Sequence, residues 1–199
     1  MSEQIPPTSI LHTPKIYLRP YEETDTEAIA HSANDPEIAR WLRSRFPSPY
    51  TIKDGEEWIS LCRAADSKRK SGSKETTTML QFGVFALPSG ELAGSIGLEA
   101  PKGDPIYSGT RELGYYCSRK FWGRGIMSEA VREFTRWAFA TLPELLRIEA
   151  GVFEGNEGSK RVLSKAGFVK EGSRRMAAVK DGKVISEDIF GLVRTDIEA

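Results

Sequence analysis

Apolar and polar positions change period twice along the chain. "KIYLRP", residues 15–20, alternates and predicts a first strand, stopped by Pro20. Over residues 25–42 the spacing turns helical, with Ile29, Ala33, Ile38 and Trp41 on one side. Asp35-Pro36 interrupts that stretch, because proline disfavours helix at the residue before it, so one or two short helices are expected. "RFPSPYT", 45–51, is rich in turn formers. Residues 52–68 fit a longer helix whose apolar face includes Trp58, Leu61 and Cys62. The polar run 69–78 reads as a solvated loop, a lid or a partner site.

Then the period shortens. "MLQFGVFAL" and "ELAGSIGLEA" are apolar runs joined by Pro88-Ser89-Gly90, a hairpin signal. "PKGDPIYSGT" is a loop, and "RELGYYCS" is a third strand of this series. Residues 126–140 return to helical spacing: Met127, Ala130, Val131, Phe134 and Trp137–Ala138 share one face, and Glu129, Arg132, Glu133 and Arg136 the other. "RIEAGVF" is a strand. "NEGSKRVLSKAGF" is a short helix with an Asn start and a Gly stop. Two strands close the chain, turning at Lys180-Asp181-Gly182-Lys183. The order is a β-rich middle, one β-loop-α-β unit, then α-β-β, with about six or seven strands in all and no internal repeat.

Composition narrows the class. A chain of 199 residues that is 39% hydrophobic suits one medium α/β domain, here expected over 14–195 behind a flexible arm at 1–13. The 28 basic and 28 acidic residues cancel, so there is no nucleic-acid footprint, and any anion site must be local. Cys62 and Cys117 are the only cysteines, and His12 and His31 the only histidines. That excludes a disulfide framework and argues against a metal site. With no signal-peptide pattern and no membrane-length apolar run, a soluble cytoplasmic protein is expected. The oligomeric state, monomer or homodimer, is not legible.

"FWGRGIMSEA", 121–130, carries the chemistry. The first amides of a helix lack internal partners and carry the positive end of its dipole. An anion there meets donors already aimed at it. Gly123 and Gly125 remove side chains that would hold a phosphate away and can adopt positive φ, and Arg124 adds charge. A plain tight turn fits the two glycines equally well. The missing G-K-[ST] excludes a P-loop. A dinucleotide fold would want a third glycine where Ser128 stands, and would want neighbouring βαβ units.

The run from "ELGYYCSRKFWGRGIMSEAV" through "IEAGVFEGNEGSKRVLSKAGF" resembles the GCN5-related N-acetyltransferase (GNAT) superfamily. With "YLRPYEETDTEAI" and "FPSPYTIKDGEEWI" it is most similar to the branch of ribosomal-protein N-terminal acetyltransferases, over roughly residues 13–194. Lys120 stands where that loop usually begins with Gln or Arg. The resemblance implies a single α/β (α+β) domain whose mixed sheet splays between two parallel strands, 111–117 and 147–153. It implies acetyl-CoA as co-substrate and no metal. Backbone groups of Tyr115, Tyr116 and Cys117 would meet the pantetheine, and amides of Gly123, Arg124, Gly125, Ile126, Met127 and Ser128 the pyrophosphate. Asn156, also an expected N-cap, would touch the pantetheine arm. Lys160, Arg161 and Lys165 could meet the 3′-phosphate, or simply form a solvated helix face.

The same resemblance assigns roles in the transfer of acetyl to a primary amine, whether a protein N-terminus or a small molecule. Many relatives carry a Tyr as general acid where this chain has Leu163. Ser159 takes that role in the resembled branch, and it suits a leaving thiol whose pKa is about 8.5. An alkyl ammonium, with a pKa of about 10.4, must lose a proton before attack. Glu112 is the first candidate base and Glu99 the second. Trp41, Phe46, Tyr50 and Trp58 fall where the family forms its acceptor pocket. Cys117 has no visible activating base, so direct transfer is expected rather than an acyl-enzyme. Other acyl-CoA donors and a non-catalytic acyl-CoA-binding module stay open as alternatives.

Overall fold

The computed structural model describes residues 5–70, 79–100 and 104–198. Eight strands form one sheet: β1 (Leu11–His12), β2 (Ile16–Arg19), β3 (Leu80–Ala86), β4 (Glu91–Glu99), β5 (Thr110–Cys117), β6 (Arg147–Phe153), β7 (Val169–Lys180) and β8 (Lys183–Val193). Their order is β1-β2-β3-β4-β5-β6-β8-β7. All pairs are antiparallel except β5–β6. That parallel pair brackets α4 (Ile126–Thr141), the one crossover unit visible in the sequence.

The count exceeds the expected six or seven by one short element. Leu11 and His12 pair with Leu18 and Tyr17, inside the stretch expected as an arm. A two-residue strand between polar neighbours has no period to detect. Residues 1–4 lie outside the described residues, as does 71–78 of the expected polar loop; residues 69–70 instead close a helix.

The remaining helices are α1 (Thr26–Ala33), α2 (Pro36–Ala39), α3 (Ile52–Lys70), α5 (Glu157–Lys165) and α6 (Arg194–Glu198). The expected break holds: Asp35 caps α2 through Glu37 N, and Pro36 takes its first turn. The sheet separates two apolar layers. On one side α4 inserts Met127, Val131 and Phe134 among Phe82, Ile96, Ile148 and Leu163. Phe134 is 0% exposed, and burying each such side chain contributes about 1.5–3 kcal/mol. On the other side α1 and α3 cover Tyr17, Tyr21 and Phe85. The inward face of α3 is Ile59 and Cys62, with Trp58 half-buried; Leu61, expected inside, is 60% exposed. The Asp181-Gly182 turn places both residues at positive φ, 50° and 74°, as a two-residue hairpin between β7 and β8 requires.

Candidate functional site

β5 pairs with β4 from Glu112 to Cys117 but with β6 only at Thr110, Arg111 and Glu112. Beyond Glu112 the two parallel strands part. Ser118 N donates to Ala93 O at 2.8 Å, which fixes the hydrogen-bonding phase of the antiparallel pair. In that phase Tyr115 and Cys117 turn their backbone groups into the gap. Tyr116 turns its backbone to β4, where a Cβ on Gly94 would stand 2.1 Å from its carbonyl oxygen. The expected set Tyr115, Tyr116 and Cys117 is therefore reduced by one. The Cys117 carbonyl also accepts from Trp122 Nε1 at 2.8 Å, leaving its amide facing the gap.

The gap opens at one end onto the glycine loop. Gly123 and Gly125 have φ of 74° and 76°, and Gly125 is the N-cap of α4. Both adopt the left-handed region that a side chain disfavours. Arg124 N bonds Phe121 O at 3.4 Å. Among the described residues, the amides of Gly125, Ile126, Met127 and Ser128 find no acceptor in the protein, as the first turn of a 16-residue helix dictates. A Cβ on Gly123 would meet nothing within 4 Å. Arg124 does not line the cavity; its guanidinium lies 5.6 Å from the Phe121 ring centroid.

Asn156 is the expected cap of α5, its Oδ1 accepting from Ser159 N at 3.1 Å. Ser159 Oγ stands 2.7 Å from Tyr115 Oη. A phenol from β5 thus stands against Ser159, while Leu163 is 0% exposed in the core. Burial raises the Tyr115 hydroxyl above its usual range, against the opposing pull of Ser159. Strand alternation alone could have placed the Tyr115 ring on this face, but not against Ser159. Of the three α5 cations, Arg161 and Lys165 line the cavity. Lys160 instead binds Asp188 and Glu157, each at 2.9 Å.

At its other end the gap opens into an aromatic chamber walled by Trp41, Phe46, Tyr50, Trp58 and Tyr116. Tyr50 is nearly buried, its Oη 3.4 Å from Asp54 O. Tyr116 bonds Ser32 Oγ at 3.0 Å, and burial pushes its hydroxyl up to about 12. Glu99 and Glu112 both face this chamber, and each is held by an arginine. Arg45 Nη2 lies 2.8 and 2.9 Å from the Glu99 oxygens. Arg43 contacts both oxygens of Glu112. Lys180 of β7 donates to the carbonyls of Ala39 and Leu42, and Arg119 holds Asp35 at 2.6 Å. The segment 35–45 is thereby strapped across the chamber. Neither arginine nor Glu187, a third strand carboxylate on the wall, carries a sequence signal; each acts across more than 50 residues or lies in an ordinary strand.

The whole cavity measures about 1460 Å³ and runs from the α4 N-terminus through the sheet to the chamber. Burial pushes the Cys117 thiol, on its wall, up to about 12. The opened sheet thus lies between a helix-start cradle on one side and a walled chamber on the other. Residues 15–169 match the model of the acetyltransferase (GNAT) domain, and the chain belongs to this family of N-acetyltransferases. YjcK of Bacillus subtilis (strain 168), described as a probable N-acetyltransferase, is 32% identical over 193 residues, covering 92% of this chain and 96% of that protein. The ribosomal-protein-S5-alanine acetyltransferase from Vibrio fischeri shares the fold with a TM-score of 0.75 at 22% identity, over 96% of this chain and 99% of that one. Mycobacterium smegmatis RimJ in complex with CoA-disulfide does so with 0.74 at 22%, over 92% and 84%.

Proposed function

We propose that this protein moves acetyl from acetyl-CoA to a primary amine by direct attack within a ternary complex. The observation that carries the reading is the continuity of one cavity from the α4 amides, through the β5–β6 opening, to the aromatic chamber. The residues present fit the nucleotide: unpartnered amides at 125–128 and two left-handed glycines leave room and donors for a pyrophosphate. Tyr115 and Cys117 offer backbone groups to an extended amide-bearing arm beside Asn156, and Arg161 and Lys165 remain for the far phosphate.

Acetyl-CoA supplies an activated thioester. Ser159 donates a proton to the departing sulfur, and Tyr115, protonated over the whole working range, stands behind it. The Cys117 thiol stays protonated at neutral pH and is no nucleophile, which favours direct transfer. The chamber takes the acceptor amine. A carboxylate must relieve its ammonium of a proton, and Glu112 can do so only after Arg43 lets go. A protein N-terminal amine is supported by the ribosomal-protein acetyltransferases among the structural neighbours, a small amine by the aromatic walls of the chamber. Both cysteines are free thiols, in keeping with a soluble cytoplasmic enzyme.

Titration of acetyl-CoA by calorimetry, followed by thiol release over a panel of peptides and small amines, tests the reading. Saturable binding with amine-dependent release is expected. Binding without release from any amine would point to an acyl-CoA-binding module instead.

A further inference from the structure

Three strand carboxylates look into the acceptor chamber: Glu99, Glu112 and Glu187. Arginines close on both oxygens of the first two. Glu187 differs. Its Oε2 accepts from Arg174 Nη1 at 3.3 Å, while Oε1 lies over the backbone of Gly151, where a Cβ would stand 2.3 Å away. Any residue but glycine at 151 would displace the carboxylate.

Register puts this group beside the opening. Glu187 pairs with Phe153 on β6, four residues past Glu149, where β5–β6 pairing ends. Its side chain shares a face with Gly151, opposite the buried Ala150 and Val152 that pack toward α4 and α5. A bulge in β7 between Arg174 and Ala178, with Met176 at φ 53°, re-aims the strand at this point.

We infer that Glu187 Oε1 receives the acceptor's ammonium and takes its proton, while Glu112 serves as the latch for Arg43. This rests on the acetyl-transfer reading above. One ammonium proton passes to the Glu187 carboxylate. The freed nitrogen pair forms the N–C bond, and the C–S pair goes to sulfur. The nitrogen's second proton balances the one sulfur acquires through Ser159, and Glu187 returns its proton to solvent. The charges around Glu187 are few. Arg174 of β7 contacts it, with exposed Arg175 next in the bulge; Glu149 of β6 lies on the same face, 3.5 Å from Arg147; Glu112 of β5 is matched by Arg43. Asp188 turns the other way, to Lys160 and Lys170.

The test compares Glu187→Gln, Glu187→Asp and Glu112→Gln, using a peptide with a free α-amine and a polyamine as probes. For Glu187→Gln, kcat/KM for the amine at neutral pH should fall about 100-fold or more. The deficit should shrink as pH rises past the amine's own pKa, because the acceptor then arrives neutral. Glu187→Asp should recover part of the loss. Amine titration into the CoA-loaded protein should weaken for Glu187→Gln, while CoA affinity and thermal midpoint stay put. Glu112→Gln should change the amine KM without recovery at high pH. An unchanged pH profile in Glu187→Gln, or the high-pH recovery appearing in Glu112→Gln instead, overturns the assignment. Wild-type protein that binds acetyl-CoA yet releases no thiol with any amine of the panel overturns acetyl transfer itself, and this role with it.

Discussion

The two ends of the cavity are built from different material. At the α4 end the polar groups are unpaired backbone amides, oriented by a helix start and two left-handed glycines. At the chamber end they are side chains, drawn from β4, β5, β8 and the 35–45 segment and held by ion pairs. A backbone cradle depends on local conformation and tolerates most neighbouring substitutions. A side-chain chamber depends on partners far apart in sequence, and a single residue can change what it accepts.

The largest effect should come from breaking the cradle. Gly125→Val puts a β-branched residue at φ 76° and should cost two or more charge-assisted hydrogen bonds, so CoA affinity should drop about 100-fold or more by calorimetry. Gly123→Ala has open space for its Cβ but holds it at φ 74°, so it should cost about 1–2 kcal/mol of stability and still weaken CoA. Ser159→Ala, at the boundary between the two ends, should lower kcat about tenfold with little change in CoA affinity, read by thiol release.

Stability sharpens the contrast. Lys170, Ser173 and Lys160 hold the Asp188 carboxyl well below the usual carboxylate range. The stabilisation is fully present above the unfolded aspartate pKa of about 3.9 and fades as pH falls below it toward the depressed native value. Asp188→Asn should therefore cost about 1–3 kcal/mol at neutral pH by urea unfolding, removing the carboxylate that Lys170 faces and one of the two that Lys160 faces, and the gap should narrow on acidification below about pH 4. The smallest effect belongs to the strap. Arg43→Ala removes one exposed ion pair and should shift the amine KM by only about threefold, leaving CoA affinity alone.

The sequence was legible where structure is local. The α4 face, the α2 start at Asp35-Pro36, the Asn156 cap and both hairpin turns all follow from nearest-neighbour rules, and each stands where expected. The two-residue β1 escaped because it is shorter than any period. Leu61 was misplaced because helical spacing alone cannot choose between adjacent rows on a weakly amphipathic helix. The aromatic walls of the chamber were reached only through the family resemblance, and the partners of its carboxylates were hidden for a deeper reason. Arg43 meets Glu112 across 69 residues, Arg45 meets Glu99 across 54, and Tyr115 meets Ser159 across 44. Only sheet order and strand register create those meetings, and neither is written in any short stretch.

The central claim is that the amides at the start of α4 hold a diphosphate. Backbone ¹H–¹⁵N spectra recorded while CoA is titrated in test it most directly. Saturable shifts should concentrate at residues 123 and 125–128 and be lost when CoA is replaced by pantetheine, which has no pyrophosphate. Saturable CoA binding that leaves those amides in place would contradict the account.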